Sequence, residues 1–541
     1  MTASAAASSL KRVLPTSRPR GWADLRVAGP TLFGFANAIA FFVIRPGVND
    51  LWAARARASA AEHGVGLSYW FGWFAGGTTP GNYSVLTPYL CAAISTELVA
   101  ALSAVAVCGL VSVLVRGTPR AEAAAAVGAL AVVFNLWSGR VPFLLGAVPG
   151  VGALIAVRHG KRAATLVLTL LAVLASPVVG AFVALGLSGT FLTTRTKAYR
   201  PIITYAIGTA AVALVASALA FGTPGPEPIS LWLLLQMAGG LLALWIAGPP
   251  DHVRTTMGVT VLAIIVLWAI PNGLGANLAR FIWFGLAVAV VALSVRAPRI
   301  AAFAVIPVLI GGISTVVDLA NAARPVSSVA YYDTLVERLD AWADLRDYRV
   351  EVVNHGARAG DDALLQHAWL ARGWETQEDL ALNKALEEDP LDPVTYKVWL
   401  DNNAVGYVAL PSSSVGGYPE YDLVNSGAPT YLKLMWHDAD WRLFRVEDPT
   451  PIVGVPASVV AHDQKSLTIR VRRAGNVPVR VRWSKFLSAV LQEPAPSGIG
   501  TVDKHPLVRA EVSDDGTGWT VLKVRKPGVY VLRGSLRGLL R

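Results

Sequence analysis

Four charged side chains set beside or within apolar sequence are the residues best placed to do chemistry. Asp50 stands a few residues past an apolar segment at 28–44, in the string Arg45-Pro46-Gly47-Val48-Asn49-Asp50. A carboxylate held near apolar walls gains basicity and can take the proton of an acceptor hydroxyl. A solvated loop acid would occupy the same place. Glu97 falls about three turns into the next apolar stretch, a depth at which an acid marks either a functional site or a structural polar pair. Arg140, in Ser138-Gly139-Arg140, and Arg280, in Asn272-Gly273-Leu274-Gly275-Ala276-Asn277-Leu278-Ala279-Arg280, each open an apolar stretch. The planar guanidinium fork suits two-point contact with a phosphate, so the pair can clamp a lipid phosphate. Snorkelling or pairing with loop acids is the alternative. Asn82 and Tyr83 end the turn string Thr78-Thr79-Pro80-Gly81-Asn82-Tyr83 and are taken as further substrate contacts.

Other chemistries lack their residues. His63, His355 and His367 have no metal-ligand spacing. Cys-x-x-Cys, His-Glu-x-x-His, the phosphate-binding P-loop and Gly-x-Ser-x-Gly are all missing from the sequence,. No cofactor is expected, and a divalent metal has no support. The aromatic-rich strings near 371–375, 399–411 and 441–446 suit either stacking on sugar rings or a domain core.

The elements that must position these residues follow from composition. The 541 residues are 54% hydrophobic and 15% charged, with a mean hydropathy of +0.49. A soluble chain carries about a quarter charged residues. Charges are sparse and clustered over 121–320, whereas 333–541 reads like a water-soluble domain. The expectation is a polytopic α-helical membrane domain followed by soluble units. The net charge of +11 is explained by basic clusters at cytoplasmic membrane edges, so no nucleic-acid partner is expected. Cys91 and Cys108 share one apolar stretch, and no disulfide framework can be read. Lys11, Arg12, Arg18, Arg20 and Arg26 precede the first apolar segment without a small-residue cleavage site, which predicts an uncleaved anchor and a cytoplasmic N-terminus.

Apolar windows near 28–44, 85–115, 122–137, 141–157, 163–187, 201–221, 229–246, 255–270, 274–295 and 300–319 give about ten spans. Basic residues flank the 163–187 stretch at both ends, Arg162 before it and Arg195, Lys197 and Arg200 after it. Its middle reads Ala175-Ser176-Pro177, and proline breaks a helix. Two half-helices in a re-entrant hairpin reconcile both facts; a single kinked span is the alternative. With the hairpin, Arg254, Arg296 and Arg299 fall inside and the chain leaves the last span at Asp318 on the outer side. The predicted divisions are a cytoplasmic tail (1–27), a transmembrane domain (28–323), an exoplasmic α/β domain (324–450) and an exoplasmic β-sandwich (451–541). The last rests on short alternating runs at 466–471, 477–483, 519–524 and 528–532,.

These residues together resemble a family. The acid after the first span, the stretch of about forty residues after it, the Ala175-Ser176-Pro177 interruption and the Asn277-Leu278-Ala279-Arg280-Phe281 start of a late span carry the likeness. So do Ala371-Arg372-Gly373-Trp374-Glu375, Asn403-Ala404-Val405-Gly406-Tyr407-Val408-Ala409-Leu410-Pro411 and the 441–451 string. The chain resembles an actinobacterial multi-spanning membrane glycosyltransferase of the GT-C superfamily, or an uncharacterised relative of that architecture. The resemblance implies a plasma-membrane enzyme. It would take a polyprenyl-phosphate sugar donor from the lipid bilayer and serve an envelope glycan, lipid or protein acceptor on the outer face. It also implies that Asp50 acts as base or helps hold a metal. Asn49 stands where many members carry a second acid, which favours a metal-independent base. Two other readings use the same residues: a transporter or flippase-like protein for a lipid-linked substrate, and a non-catalytic glycan-binding assembly factor.

Overall fold

Proline, glycine and one strained serine cut the apolar sequence into helices of unequal length. The computed structural model describes residues 25–194, 199–342, 344–373, 375–492 and 508–540, with side chains from residue 28 onward. Lys11, Arg12, Arg18, Arg20, Arg195, Lys197 and Trp374 lie outside the described residues, as does the Arg26 side chain. By contact the chain divides into two compact units. The first comprises residues 1–54, 83–219 and 226–320; the second comprises 55–82, 220–225 and 321–541.

The first unit is helical. Helix α1 (Leu25–Ile44) stops where Arg45 takes a positive φ of 48° ahead of Pro46. Helix α2 (Asn49–Glu62) then leaves at a 70° bend. The expected loop after the first span therefore begins as a helix, and Asp50 lies in its first turn. The 85–115 window is two helices, α3 (Thr87–Ile94) and α4 (Thr96–Val115), parted at Ser95, whose φ of 99° and ψ of 147° no helix accommodates. There follow α5 (Ala121–Trp137), α6 (Val141–Arg158), α7 (Arg162–Ala175), α8 (Pro177–Thr193), α9 (Arg200–Phe221), α10 (Leu231–Ile246) and α11 (Asp251–Ala269). The last stretches are α12 (Leu278–Arg280), a π-helical turn Phe281–Leu286, α13 (Ala287–Leu293), α14 (Pro298–Ala301) and α15 (Ile306–Ala322).

The structure does not confirm the expected count of about ten spans. Among the described residues six helical stretches are long and apolar enough to cross a membrane, or seven if α1 and α2 count as one bent span. Helices α5, α7, α8 and α10 are apolar but only 17, 14, 17 and 16 residues long. At ~1.5 Å per residue each falls short of a ~30 Å hydrocarbon layer.

The Ser176-Pro177 break makes two helices that lie against each other. A Cβ built on Gly180 would stand 2.3 Å from Val173 Cγ2, so the chain doubles back within a few residues. The carbonyls that the break frees are taken up locally. Ser84 Oγ donates to Ala175 O (2.8 Å) and Thr87 Oγ1 to the same oxygen (3.1 Å), while Val85 N donates to Leu174 O (2.9 Å). Irregular backbone among apolar helices persists only when its polar groups are satisfied in this way.

The second unit holds two sheets. Strands β1 (Arg349–Val352), β2 (Val405–Pro411), β3 (Leu432–His437) and β4 (Trp441–Val446) form the order β1-β2-β4-β3, with β1 parallel to β2 and the rest antiparallel. A parallel pair needs a crossover, and here it includes helices at Gly360–Ala363, Thr376–Leu382 and Pro393–Asn402. The last is started by Asp392, whose carboxylate accepts from Val394 N and Thr395 N. Trp399 and Trp441 are buried and donate to Asn383 Oδ1 and Tyr331 O, so these aromatics are core.

The expected β-sandwich is instead a single seven-stranded sheet. Strands β5 (Ala457–Asp463), β6 (Ser466–Val471), β7 (Gly475–Arg482), β8 (Leu487–Gln492), β9 (Arg509–Asp514), β10 (Trp519–Val524) and β11 (Gly528–Gly534) run in the order β5-β6-β11-β8-β9-β10-β7. The residues before β5 reach the opposite edge: Arg480 N donates to Ile452 O (2.7 Å) and Gly454 N to Pro478 O (3.0 Å). The sheet is thereby nearly closed into a barrel, which leaves few free edges. Its core includes Leu467, Ile469, Val479, Leu522 and Leu532, and also Tyr69 and Phe71 from the 55–82 segment.

Candidate functional site

Asp50 and Arg140, far apart in sequence, meet in the first unit, and Arg280 acts on Arg140 electrostatically. The turn between α5 and α6 carries Arg140. It closes through Gly139 N to Leu136 O and Arg140 N to Asn135 O, and Gly139 takes a φ of +73°. A Cβ on Gly139 would lie 2.7 Å from Leu51 N and 2.8 Å from Val48 Cγ2. Glycine is thus needed twice over, for the left-handed backbone and for the approach of this turn to the start of α2. That approach puts Arg140 Nε 3.6 Å from Asp50 Oδ2.

The remaining members come from two other elements. Thr315 Oγ1 donates to Phe134 O (3.1 Å) and lies 3.0 Å from Ser138 Oγ, fixing α15 to the end of α5. Asp318 is three residues on, hence on the same helical face, and its carboxylate feels Arg140 and Ser138 electrostatically. Arg280 is placed by the turn before α12, where Asn272 Oδ1 accepts from Leu274 N and Gly275 N. The guanidinium lies 6.0 Å from the Phe143 ring centre, and Phe143, Phe182 and Phe281 form a run of edge and tilted contacts. Arg280, Asp50 and Asp318 all act electrostatically on Arg140. The π-helical turn directly after Arg280 is of the kind often found at functional positions.

Arg140 is buried and incompletely satisfied. Its side chain is 10% exposed, against 40% for Asp50. Its Nε has no hydrogen-bond acceptor, and Nη1 reaches Asn135 Oδ1 only at 3.4 Å. A buried guanidinium with a spare donor is suited to an anionic oxygen. Among the described residues no group of three or more His, Cys, Asp or Glu side chains is placed to hold a metal ion.

The other sequence candidates stand on different elements. Glu97 is not three turns into a span. The break at Ser95 puts it in the first turn of α4, buried beside Cys91, where a helix N-terminus favours an acid,. Asn82 belongs to the second unit, where Nδ2 donates to Glu378 Oε1 (3.3 Å). Tyr83 is half-buried where the chain re-enters the first unit. The residues that sequence reasoning missed are Asp318 and Ser138. The signal that selected Asp50, an acid at the edge of an apolar run, applies equally to Asp318.

The second unit buries a separate charge network. Arg372 donates through Nε to Asp379 Oδ1 (2.9 Å) and through Nη1 to Glu420 Oε2 (2.7 Å). Tyr396 Oη donates to Glu420 Oε1 (3.0 Å), and Glu351 lies 4.0 Å from Arg372. Arg57 pairs with Glu375, and Thr78 Oγ1 donates to Glu378 Oε2 (2.6 Å). Burial, then the neighbouring Glu375, pushes the Glu378 carboxyl up to about 8. Burial pushes Asp361 up to about 7 and holds Glu351 well above the usual carboxylate range, with Glu420 adding to it. These groups rest on backbone that the same unit supplies, and they read as a structural core of ion pairs.

Residues 454–538 match a family described as a domain of unknown function (DUF8823). The match covers all seven strands of the larger sheet and does not reach the first unit. No curated protein matches the chain.

Two outcomes follow from this geometry. Gly139→Ala combines a left-handed alanine, at ~1–2 kcal/mol, with contact against Leu51 backbone. It should lower stability by about 2 kcal/mol or more and part Arg140 from Asp50; thermal unfolding measures the first effect, and an unchanged midpoint refutes the tight approach. The second outcome concerns pH. Glu378 and Asp361 keep protons in the folded state that the unfolded chain, at 4.5 and 3.8, has released. Their contribution is complete below those values and is lost as pH rises through about 7 and about 8. His355 and His462, pushed down to about 4 by burial, act in the opposite sense only below 6.5. Stability of the second unit should therefore fall between pH 6.5 and 8.5, at up to ~1.4 kcal/mol per unit per group, and Glu378→Gln should flatten the fall. A rise over that window contradicts the assignment.

Proposed function

We propose that the chain is a membrane glycosyltransferase of the GT-C kind, moving a sugar from a polyprenyl-phosphate donor to a cell-envelope acceptor on the outer face of the plasma membrane. The observation that carries this reading is the meeting of a half-exposed carboxylate, Asp50, with Arg140, on which Arg280 acts electrostatically, at helix ends of an apolar helical unit. In the reaction Asp50 takes the proton of the acceptor hydroxyl, whose oxygen bonds to the anomeric carbon of the sugar. The bond from that carbon to the phosphate oxygen breaks, and polyprenyl phosphate leaves with the electron pair. Arg140 and Arg280 stabilise the charge that gathers on the phosphate, and preorganised donors of this sort supply much of an enzyme's rate. The aromatic run beneath Arg280 offers an apolar wall to the first isoprene units. The second unit, with its two sheets, guides the acceptor.

The test is to incubate purified protein with polyprenyl-phosphate sugars and envelope acceptors and to analyse products by mass spectrometry. A new glycoside and free polyprenyl phosphate are expected. Asp50→Asn should slow turnover by ~10²–10⁴-fold, the usual worth of general-base assistance, or roughly 3–5 kcal/mol of barrier. Parental turnover in that variant removes Asp50 as the base. Donor that crosses vesicles intact, with no glycoside formed, replaces this reading with the flippase-like one.

A further inference from the structure

We infer that Asp50 is an internal stand-in for the donor phosphate: it occupies Arg140 in the empty site and is displaced when the phosphate arrives, so the base is released only in the loaded protein. This rests on the reading of Arg140 and Arg280 as the phosphate clamp.

Three observations lead to it. The Asp50–Arg140 contact is a charge contact without a hydrogen bond, 3.6 Å from Nε to Oδ2. Settled arginine–carboxylate pairs sit about 2.7–2.9 Å apart and are often two-pronged. Arg140 is therefore buried, charged and only loosely engaged, with one donor unused. The cluster is also balanced as it stands, two arginines against Asp50 and Asp318. A phosphate added without displacement would put three negative groups against two positive ones in an apolar surround, where like charges repel strongly. One carboxylate must withdraw.

The fold indicates which. Asp318 lies within α15, one helical turn past Thr315, which fixes that part of α15 to the end of α5. Asp50 is 40% exposed and sits in the first turn of α2, just after the 70° bend. Asp318 stays and Asp50 leaves. Arg280, Asp318 and the incoming phosphate then face Arg140, and Asp50 is left beside the acceptor. The arrangement predicts opposite effects from one substitution: Asp50→Asn slows the chemistry yet tightens the donor's hold on Arg140, because the competing carboxylate is gone.

The experiment titrates the purified full chain in detergent with a polyprenyl monophosphate, following heat or tryptophan fluorescence. The parent, Asp50→Asn, Asp50→Ala, Arg140→Gln and the Asp50→Asn/Arg140→Gln double variant are compared. Both Asp50 variants should bind about two- to fivefold more tightly, the worth of a part-exposed ion pair. Arg140→Gln should bind more weakly, and on that background Asp50→Asn should change nothing. Equal or weaker binding by the Asp50 variants, with Arg140→Gln still weakened, overturns the exchange and leaves the phosphate clamp standing. No binding by any form, or binding indifferent to Arg140→Gln, overturns the clamp and the exchange with it.

Discussion

The first unit is organised around one costly act, the burial of Arg140. An arginine with 10% of its side chain exposed would cost several kcal/mol if left unpaired. The surrounding elements are arranged to offset that. Gly139 lets the α5–α6 turn touch the start of α2, which delivers Asp50. Thr315 and Ser138 tie α15 to the end of α5, which delivers Asp318. The offset is incomplete by design of the geometry, since Nε has no acceptor. A site that was fully satisfied would hold no ligand; one with no acids would not hold its arginine in place.

The second unit solves its charges differently. Arg372 is surrounded by carboxylates at hydrogen-bonding distance, and Tyr396 takes a further lone pair of Glu420. Little is left over for a ligand at Arg372 itself. Each cluster has a half-exposed acid near a buried arginine, Asp50 at Arg140 and Glu387 at Arg372; the Arg372 nitrogens all have carboxylate partners, whereas Arg140 Nε has no acceptor. That difference supports the role proposed for Asp50 over one for the more heavily charged network.

Much of the local structure was legible in the sequence. The alternation in Ser466–Val471, Trp519–Val524 and Trp441–Val446 placed strands where they occur, because one face of each meets a core. Strand β3 was invisible, since it is largely exposed and carries no inward alternation. The break at Ser95 was invisible as well, because Ser95-Thr96-Glu97 interrupts the apolar run without a proline or glycine at the break. Proline made the break at Ser176 readable, but nothing local told that Ser84 and Thr87 would cap it. Sheet closure depends on residues 452–454 reaching β7, a long-range register that strand patterns do not encode. The candidate site was half legible. Residue type picked out Asp50, Arg140 and Arg280; the approach of Asp50 to Arg140 depends on turns ninety and more residues apart, and Asp318 was passed over as a mere end of a span.

The most direct test of the central claim is an experimentally determined structure of the protein with a polyprenyl monophosphate bound. The account predicts phosphate density within hydrogen-bonding distance of Arg140 and Arg280, with Asp50 withdrawn from Arg140 and Asp318 in place on α15. Phosphate density elsewhere, with Asp50 unmoved on Arg140, would contradict it.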